Sequence, residues 1–287
     1  MNSCLWYFLL CVITYNVSGQ QNDSTYFVNA PWYIDTLDHG VMWHHHHFDQ
    51  SDLFVSNQHI QYISVSKQAK SYEWKIGRAI DSTRKTSDMG IGLKALAGIN
   101  GGFFNTKTGA SVNFIKMDGV VMDTSYYNKE KGKYGPHQDG IIAFGNDGFH
   151  IFKRSDDPAF QWSDVTKYPN ILESGPLLMI DGQNITLSAT PFNDNRHPRS
   201  CVCLTDTDII ILAVDGRNAQ AQGMNLGELS SILTWLKCTS ALNLDGGGST
   251  TFYIDGKGVT NMPSDNKVFD HLGERKVSNG LFLVRKK

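Results

Sequence analysis

The sequence predicts an α+β fold, a single domain with a largely antiparallel or mixed sheet and a few packed helices. Short runs rich in Ile, Val, Tyr and Phe recur along the chain, several are joined by Asp-Gly pairs at hairpin spacing, and only two segments show helical periodicity. No repeat, low-complexity tract or Pro/Ser-rich linker divides the chain after its N-terminus, so residues 20–287 read as one domain.

Cys4 to Thr14 (CLWYFLLCVIT) is an apolar run too short to span a bilayer, and it precedes the small residues Val17-Ser18-Gly19. Residues 1–19 are therefore expected to be an export signal, followed by a short polar leader, roughly Gln20 to Thr25. The mature chain would have no membrane span and would work in the periplasm or outside the cell. With 26 basic against 28 acidic residues, the charge balance gives no sign of a nucleic-acid partner.

Strands are expected over His59-Ser66, Glu73-Ile80, Gly140-Phe144, Phe149-Lys153, Asp208-Val214, Thr250-Ile254 and Asn279-Val284. Hairpins are expected at Asp118-Gly119, Asp181-Gly182 and Asp255-Gly256. One helix spans about Ser87 to Ala97, with Leu93, Leu96 and Ala97 inward and Gly90 and Gly92 weakening its first turn. The stronger helix starts at Asn225, which can cap it while Glu228 reaches back; Leu226, Leu229, Ile232, Leu233 and Leu236 form its apolar stripe.

Asp123 to His137 reads as a long exposed loop, either a lid or a solvated hairpin connection. The run His44-His45-His46-His47 reads as an exposed polar segment, its members alternating between faces if it is a strand. Without the signal, Cys201, Cys203 and Cys238 remain, and the first two face the same side of one strand. Buried thiols are expected, with a bridge from Cys238 to either of the others as the alternative.

No P-loop, Gly-x-Ser-x-Gly elbow, His-Glu-x-x-His helix or dinucleotide fingerprint is present. Three segments share another layout, in which an apolar run ends in a polar residue followed by glycine or arginine. They are Ala97-Gly-Ile-Asn-Gly-Gly-Phe-Phe104, Val214-Asp-Gly-Arg217 and Ala241-Leu-Asn-Leu-Asp-Gly-Gly-Gly-Ser-Thr250. Glycine lets backbone approach a ligand closely, and successive N–H groups can cradle an anion such as phosphate. Asp-Gly also makes plain hairpins here, but Asp245 is followed by more glycine than a tight turn needs, and Asp215 leads toward a capped helix. Arg196-His-Pro-Arg-Ser200 adds two guanidinium groups suited to phosphate, Arg199 being the one a strand should fix. Glu173-Ser-Gly-Pro-Leu177 either presents Ser174 or Glu173 to a cleft or simply turns the chain.

The ordered set Gly98-Ile-Asn-Gly-Gly-Phe-Phe104, Ser174-Gly-Pro-Leu177, His197-Pro-Arg-Ser200, Val214-Asp-Gly-Arg217, Gly223-Met224 with Glu228-Leu229, and Asn243-Leu-Asp-Gly-Gly-Gly-Ser249 resembles the phosphodiester glycosidase family, from about Gly98 to the C-terminus. The resemblance implies a hydrolase that cleaves the anomeric C–O bond of a sugar-1-phosphodiester, with a sugar phosphate or glycan as substrate. Asp245 and Asp215 are then the catalytic carboxylates, stabilising an oxocarbenium-like state, attacking it or activating water. Arg199, Arg217 and the amides of Gly101, Gly102, Gly175, Gly246, Gly247 and Gly248 would balance phosphate charge. Asn100, Asn243, Ser174 and Ser249 would hydrogen-bond the substrate, with Phe103 or Phe104 as an apolar wall, and neither metal nor cofactor is required. Glu173 falls where the family is expected to vary. A binding protein without turnover and a phosphodiesterase breaking P–O bonds are the alternatives.

Overall fold

Apolar side chains on both faces mark Arg199–Leu204 and Asp208–Val214 as strands covered on each side, and in the computed structural model they lie at the centre of the largest sheet. The structure describes residues 18–79, 82–130, 132–135, 137–154 and 167–286. The large sheet runs Tyr33–Asp38, Val41–Leu53, Ser56–Ser66, Asp208–Val214, Arg199–Leu204, Ser240–Asn243, Leu177–Ile180, Gln183–Asn184, each strand antiparallel to the next. A second sheet orders Gly148–Lys153, Gly140–Gly145, Asn170–Ser174, Ile115–Met117 and Val120–Asp123. A third orders Gly258–Val259, Phe252–Ile254, Ala95–Asn100, Asn279–Arg285 and Tyr72–Arg78.

Side-chain alternation then divides the interior. Val202, Ile209, Ile211 and Leu242 point from the large sheet into a core shared with Ile142 and Leu172 of the second sheet and Ile99, Phe252 and Leu281 of the third. Cys201, Cys203, Ile210 and Leu212 point the other way, against the helix Leu226–Trp235. The molecule is thus layered as helices, large sheet, and two smaller sheets, with strand the dominant element.

The helix at Leu226–Trp235 has the expected capping box, Asn225 accepting from the Glu228 N–H and Glu228 from the Asn225 N–H. Asp118-Gly119 and Asp181-Gly182 both take positive φ between paired strands, and Asp255-Gly256 joins Phe252–Ile254 to Gly258–Val259. The other helix stops earlier than its periodicity predicts, at Leu93, where Lys94 turns left-handed, and Ala95–Asn100 continues as a strand. Pairing with Phe252–Ile254 on one side and Asn279–Arg285 on the other, with all six residues buried, overrides the weak helical spacing of Leu93, Leu96 and Ala97. Gly90 serves packing, since a Cβ there would stand 2.6 Å from the Tyr253 ring.

Two readings left open are decided and one expectation changes. Cys203 and Cys238 form a disulfide, leaving Cys201 as the buried free thiol among the described residues. The bridge forms because Cys238, just past the helix end, reaches the helix-facing side of the Arg199–Leu204 strand. The histidine run is half-buried in the Val41–Leu53 strand, where His44 stacks on Tyr62 and His45 on Trp43, at 4.4 Å in each case. Within the Asp123 to His137 stretch, Tyr127–Asn128 pairs with Lys133–Tyr134, so this part is a hairpin.

Most of the expected export signal, residues 1–17, lies outside the described residues. The expected polar leader belongs to a helix, Ser18–Asn29, whose Phe27 packs against Trp32, Phe48 and Trp235. No helix among the described residues is long and apolar enough to cross a membrane.

Candidate active site

Antiparallel register gathers the separated motifs at one end of the sheets. Arg199 stands opposite Val214 and Cys201 opposite Asn243, so Asp215 and Asp245 emerge beside Arg199. Asn100 ends its strand in the same region, where the Asp245 N–H donates to the Gly101 carbonyl at 2.9 Å. The Gly247 N–H donates to the Pro198 carbonyl, also at 2.9 Å, and pins the glycine segment across the sheet end.

The glycines are required here by close approach. Gly247 has φ of 61°, and a Cβ on it would stand 2.7 Å from Arg217 Nη2. A Cβ on Gly248 would meet Arg275 Nη2 and Asp265 Oδ1, each at 2.5 Å, and one on Gly246 the Pro198 carbonyl at 2.6 Å. Two guanidinium groups therefore lie directly on the bare loop. Arg275 is paired with Asp265 at 2.5 Å, whereas Arg217 is exposed and has no ion-pair partner among the described residues.

Asp245 retains some accessible surface although it lies deep among protein atoms. Burial pushes its carboxyl up to about 6, against the opposing pull of the Ser249 hydroxyl, the Gly246 N–H and the charges of Arg275 and Arg217. Such a group can hold a proton in mildly acidic solution and release it near neutrality.

Arg199 is fully buried, and its Nε donates to the Met224 carbonyl at 2.8 Å. Nη2 donates to the carbonyls of Phe192 and Asn195, at 2.7 and 3.0 Å, while Nη1 is buried without a partner. Burial lowers its pKa to about 10. A buried cation with an unmade hydrogen bond is costly, and an anionic or strongly polar ligand would supply the missing acceptor. Three rings stand beside it: Phe192 lies 4.8 Å from the guanidinium carbon, His137 is 4.5 Å from Phe192, and Phe103 stacks on His137 at 4.2 Å. Burial, helped by the Arg199 charge, holds His137 down to about 4, so its imidazole is neutral, and its Nδ1 is another buried atom without a partner.

Several of the sequence-predicted residues have their polar groups engaged internally. Asn100 donates to the Asp245 carbonyl at 2.6 Å and accepts from the Ser200 hydroxyl and the Thr251 N–H. The Gly101 N–H donates to the Asn279 carbonyl, that of Gly102 to Asn279 Oδ1, and that of Phe103 to Asn113 Oδ1. Asn243 donates to the Gly175 and Leu244 carbonyls, its Oδ1 left buried without a partner, as is the Ser174 hydroxyl. Asp215 is sealed, accepting from His59 Nδ1, Asn261 Nδ2 and the Met262 N–H. Glu173 forms a buried ion pair with Arg154 and also accepts from Phe114 N–H and the Ser125 hydroxyl, a network that joins strands. Arg196 is clamped by Glu228.

Sequence reasoning missed Arg275, His137, Phe192 and His59. Each is a single residue in an ordinary setting, brought to the site by sheet pairing or loop return. Among the described residues no three His, Cys, Asp or Glu side chains are grouped as metal ligands would be. A cavity of about 690 Å³, bordered by Lys67, Trp74, Phe149 and Leu204, lies at the opposite end of the central strands and shares none of these residues.

Comparison with known proteins bears on this arrangement. The mouse N-acetylglucosamine-1-phosphodiester alpha-N-acetylglucosaminidase is 27% identical over 175 residues, covering 58% of this chain and 33% of its own length. The human enzyme is 24% identical over a segment of the same length. The chain thus spans about a third of the length of these curated relatives. The zebrafish enzyme's catalytic domain, solved auto-inhibited by its pro-peptide, superposes with a TM-score of 0.67 at 19% identity, covering 89% of this chain and 88% of that one. A hypothetical protein from Synechocystis superposes at 0.66 and 15% identity, covering 89% and 64%. Residues 93–284 match the family described as phosphodiester glycosidase, and the chain belongs to that family.

Proposed function

We propose that the protein is an exported hydrolase that cleaves the anomeric C–O bond of a sugar-1-phosphodiester and releases free sugar, with an N-acetylglucosamine-1-phosphodiester as the first substrate to try. The observation that carries this reading is the Asp245 carboxyl, raised to about 6 beside a bare glycine loop on which Arg217 and Arg275 lie. Bond breaking leaves positive charge on the anomeric carbon and negative charge on the departing phosphate. The ionised carboxylate stabilises the first, and guanidinium groups stabilise the second. A phosphate monoester leaves readily once its charge is balanced, so the demand for a strong general acid is small. Arg217 offers an unpaired cation, and the unpartnered Nη1 of Arg199 supplies a second donor beside the ring-lined subsite.

Family membership and the names of the mammalian relatives support the substrate class. The Cys203–Cys238 bridge supports an oxidising compartment, as export requires. Incubation with an N-acetylglucosamine-1-phosphodiester, and with a nitrophenyl phosphodiester of the sugar, should release free sugar, and Asp245→Asn should stop it. Binding without turnover across a broad phosphodiester panel would replace this reading with that of a carbohydrate-binding protein.

A further inference from the structure

The sequence marks Asp215 as a catalytic carboxylate, but its surroundings give it another task. Its side chain is 1% exposed, and both oxygens are taken: Oδ1 accepts from Asn261 Nδ2 at 2.8 Å, and Oδ2 accepts from His59 Nδ1 at 2.6 Å and from the Met262 N–H at 2.9 Å. A carboxylate so engaged would have to give up hydrogen bonds before it could attack carbon or take a proton from water. His59 differs, since its side chain keeps 10% exposure and its Nε2 has no hydrogen-bond partner among the described residues. A carboxylate on Nδ1 fixes the tautomer with the proton on that nitrogen and leaves Nε2 as an acceptor.

The pair borders the glycine loop. Asn261, which holds Asp215, also donates to the Thr250 carbonyl, immediately after Ser249, and Asp215 precedes by two residues the arginine that lies over Gly247. The other groups around His59 cannot substitute for it. His47, on the adjacent strand, is committed to the Gln220 carbonyl at 2.7 Å, Phe269 is apolar, and the imidazoles of His45 and His46 are held below the usual histidine range, first by burial.

We propose that His59, positioned by Asp215, is the general base of this site. Nε2 takes a proton from the attacking water, the water oxygen bonds to the anomeric carbon, and the C–O bond to phosphate breaks with its electron pair leaving on the phosphomonoester. The imidazolium then returns its proton to solvent. This rests on the hydrolytic reading above, and His59 lies outside the family-matched residues 93–284, so the base is contributed by the N-terminal part of the chain. Asp215 is a positioning residue in this scheme.

The test compares wild type, His59→Ala, His59→Gln and Asp215→Asn on a nitrophenyl phosphodiester of N-acetylglucosamine, with and without added imidazole. His59→Ala should lose 100-fold or more in kcat with KM little changed, and imidazole should restore part of the rate. His59→Gln can still donate to Asp215, so it should remain folded by circular dichroism, yet be as slow as His59→Ala and refractory to imidazole. Asp215→Asn should slow turnover and shift the His59 ring nitrogen resonances away from the Nδ1–H tautomer. If wild type turns over and His59→Gln stays within about threefold of it, or if a folded His59→Ala is slow and imidazole restores nothing, His59 is structural and only this inference falls. If wild type releases no sugar, the hydrolytic reading and this inference fall together.

Discussion

Asp245 and Arg199 are both charged groups taken out of water, and each reveals its task by what burial does to it. A carboxyl raised to about 6 binds protons more tightly in the folded protein than in the unfolded chain. Its desolvation penalty is absent below pH 4, grows as pH rises through 6, and is complete above pH 7. Asp245→Asn should therefore abolish sugar release and yet stabilise the protein at pH 8 by about 3 kcal/mol, the size of the shift. Urea unfolding at pH 8 and pH 4 checks this, the gain being present at the first and absent at the second. Equal stability at both would show that the carboxylate is not desolvated. Arg199 holds three carbonyls through a planar fork that lysine lacks. Arg199→Lys should weaken binding of N-acetylglucosamine-1-phosphate tenfold or more by calorimetry, although the charge is kept.

At the scale of elements, the glycine loop and the disulfide make opposite predictions about activity and stability. In Gly247→Ala the new methyl meets the Arg217 guanidinium, and the left-handed backbone adds strain of about 1 kcal/mol. Turnover should fall at least tenfold with only that small loss of stability, measured by steady-state kinetics and thermal melting. The Cys203–Cys238 bridge closes a loop between residues 35 apart on the helix-facing side of the large sheet. Replacing both cysteines with alanine should cost about 3 to 4 kcal/mol through restored chain entropy, with kcat little changed. The sequence showed some of these elements clearly and others not at all. The capped helix after Asn225 and the Asp-Gly hairpins were legible because their signals are local. The end of the earlier helix was not, because whether Ala95 to Asn100 extends as strand depends on partners far along the chain. The disulfide was only one of two readings, since parity and spacing cannot say which strand face a helix end will meet.

Across the whole molecule, the sheet register decides what could be read in advance. Asp245 stood out by its glycine excess, Arg199 by its pairing with Arg196, and Arg217 by following Asp-Gly at the end of an apolar run. His59, His137, Phe192 and Arg275 had no such local mark and reach the site through strand pairing and the return of the 260–275 loop. Asn100 carried a motif signal that turned out to be architectural, its amide tying three segments together. The layered arrangement holds one end of the large sheet against the third, so that the Asp245 carboxyl, Arg217 and Arg275 meet around bare glycine backbone. That grouping is the basis of the proposed hydrolysis at carbon. Hydrolysis of an N-acetylglucosamine-1-phosphodiester in heavy-oxygen water, followed by mass spectrometry of both products, tests it most directly. The label should appear in the released sugar, whereas label in the phosphate would mean that the P–O bond breaks and would contradict the assignment.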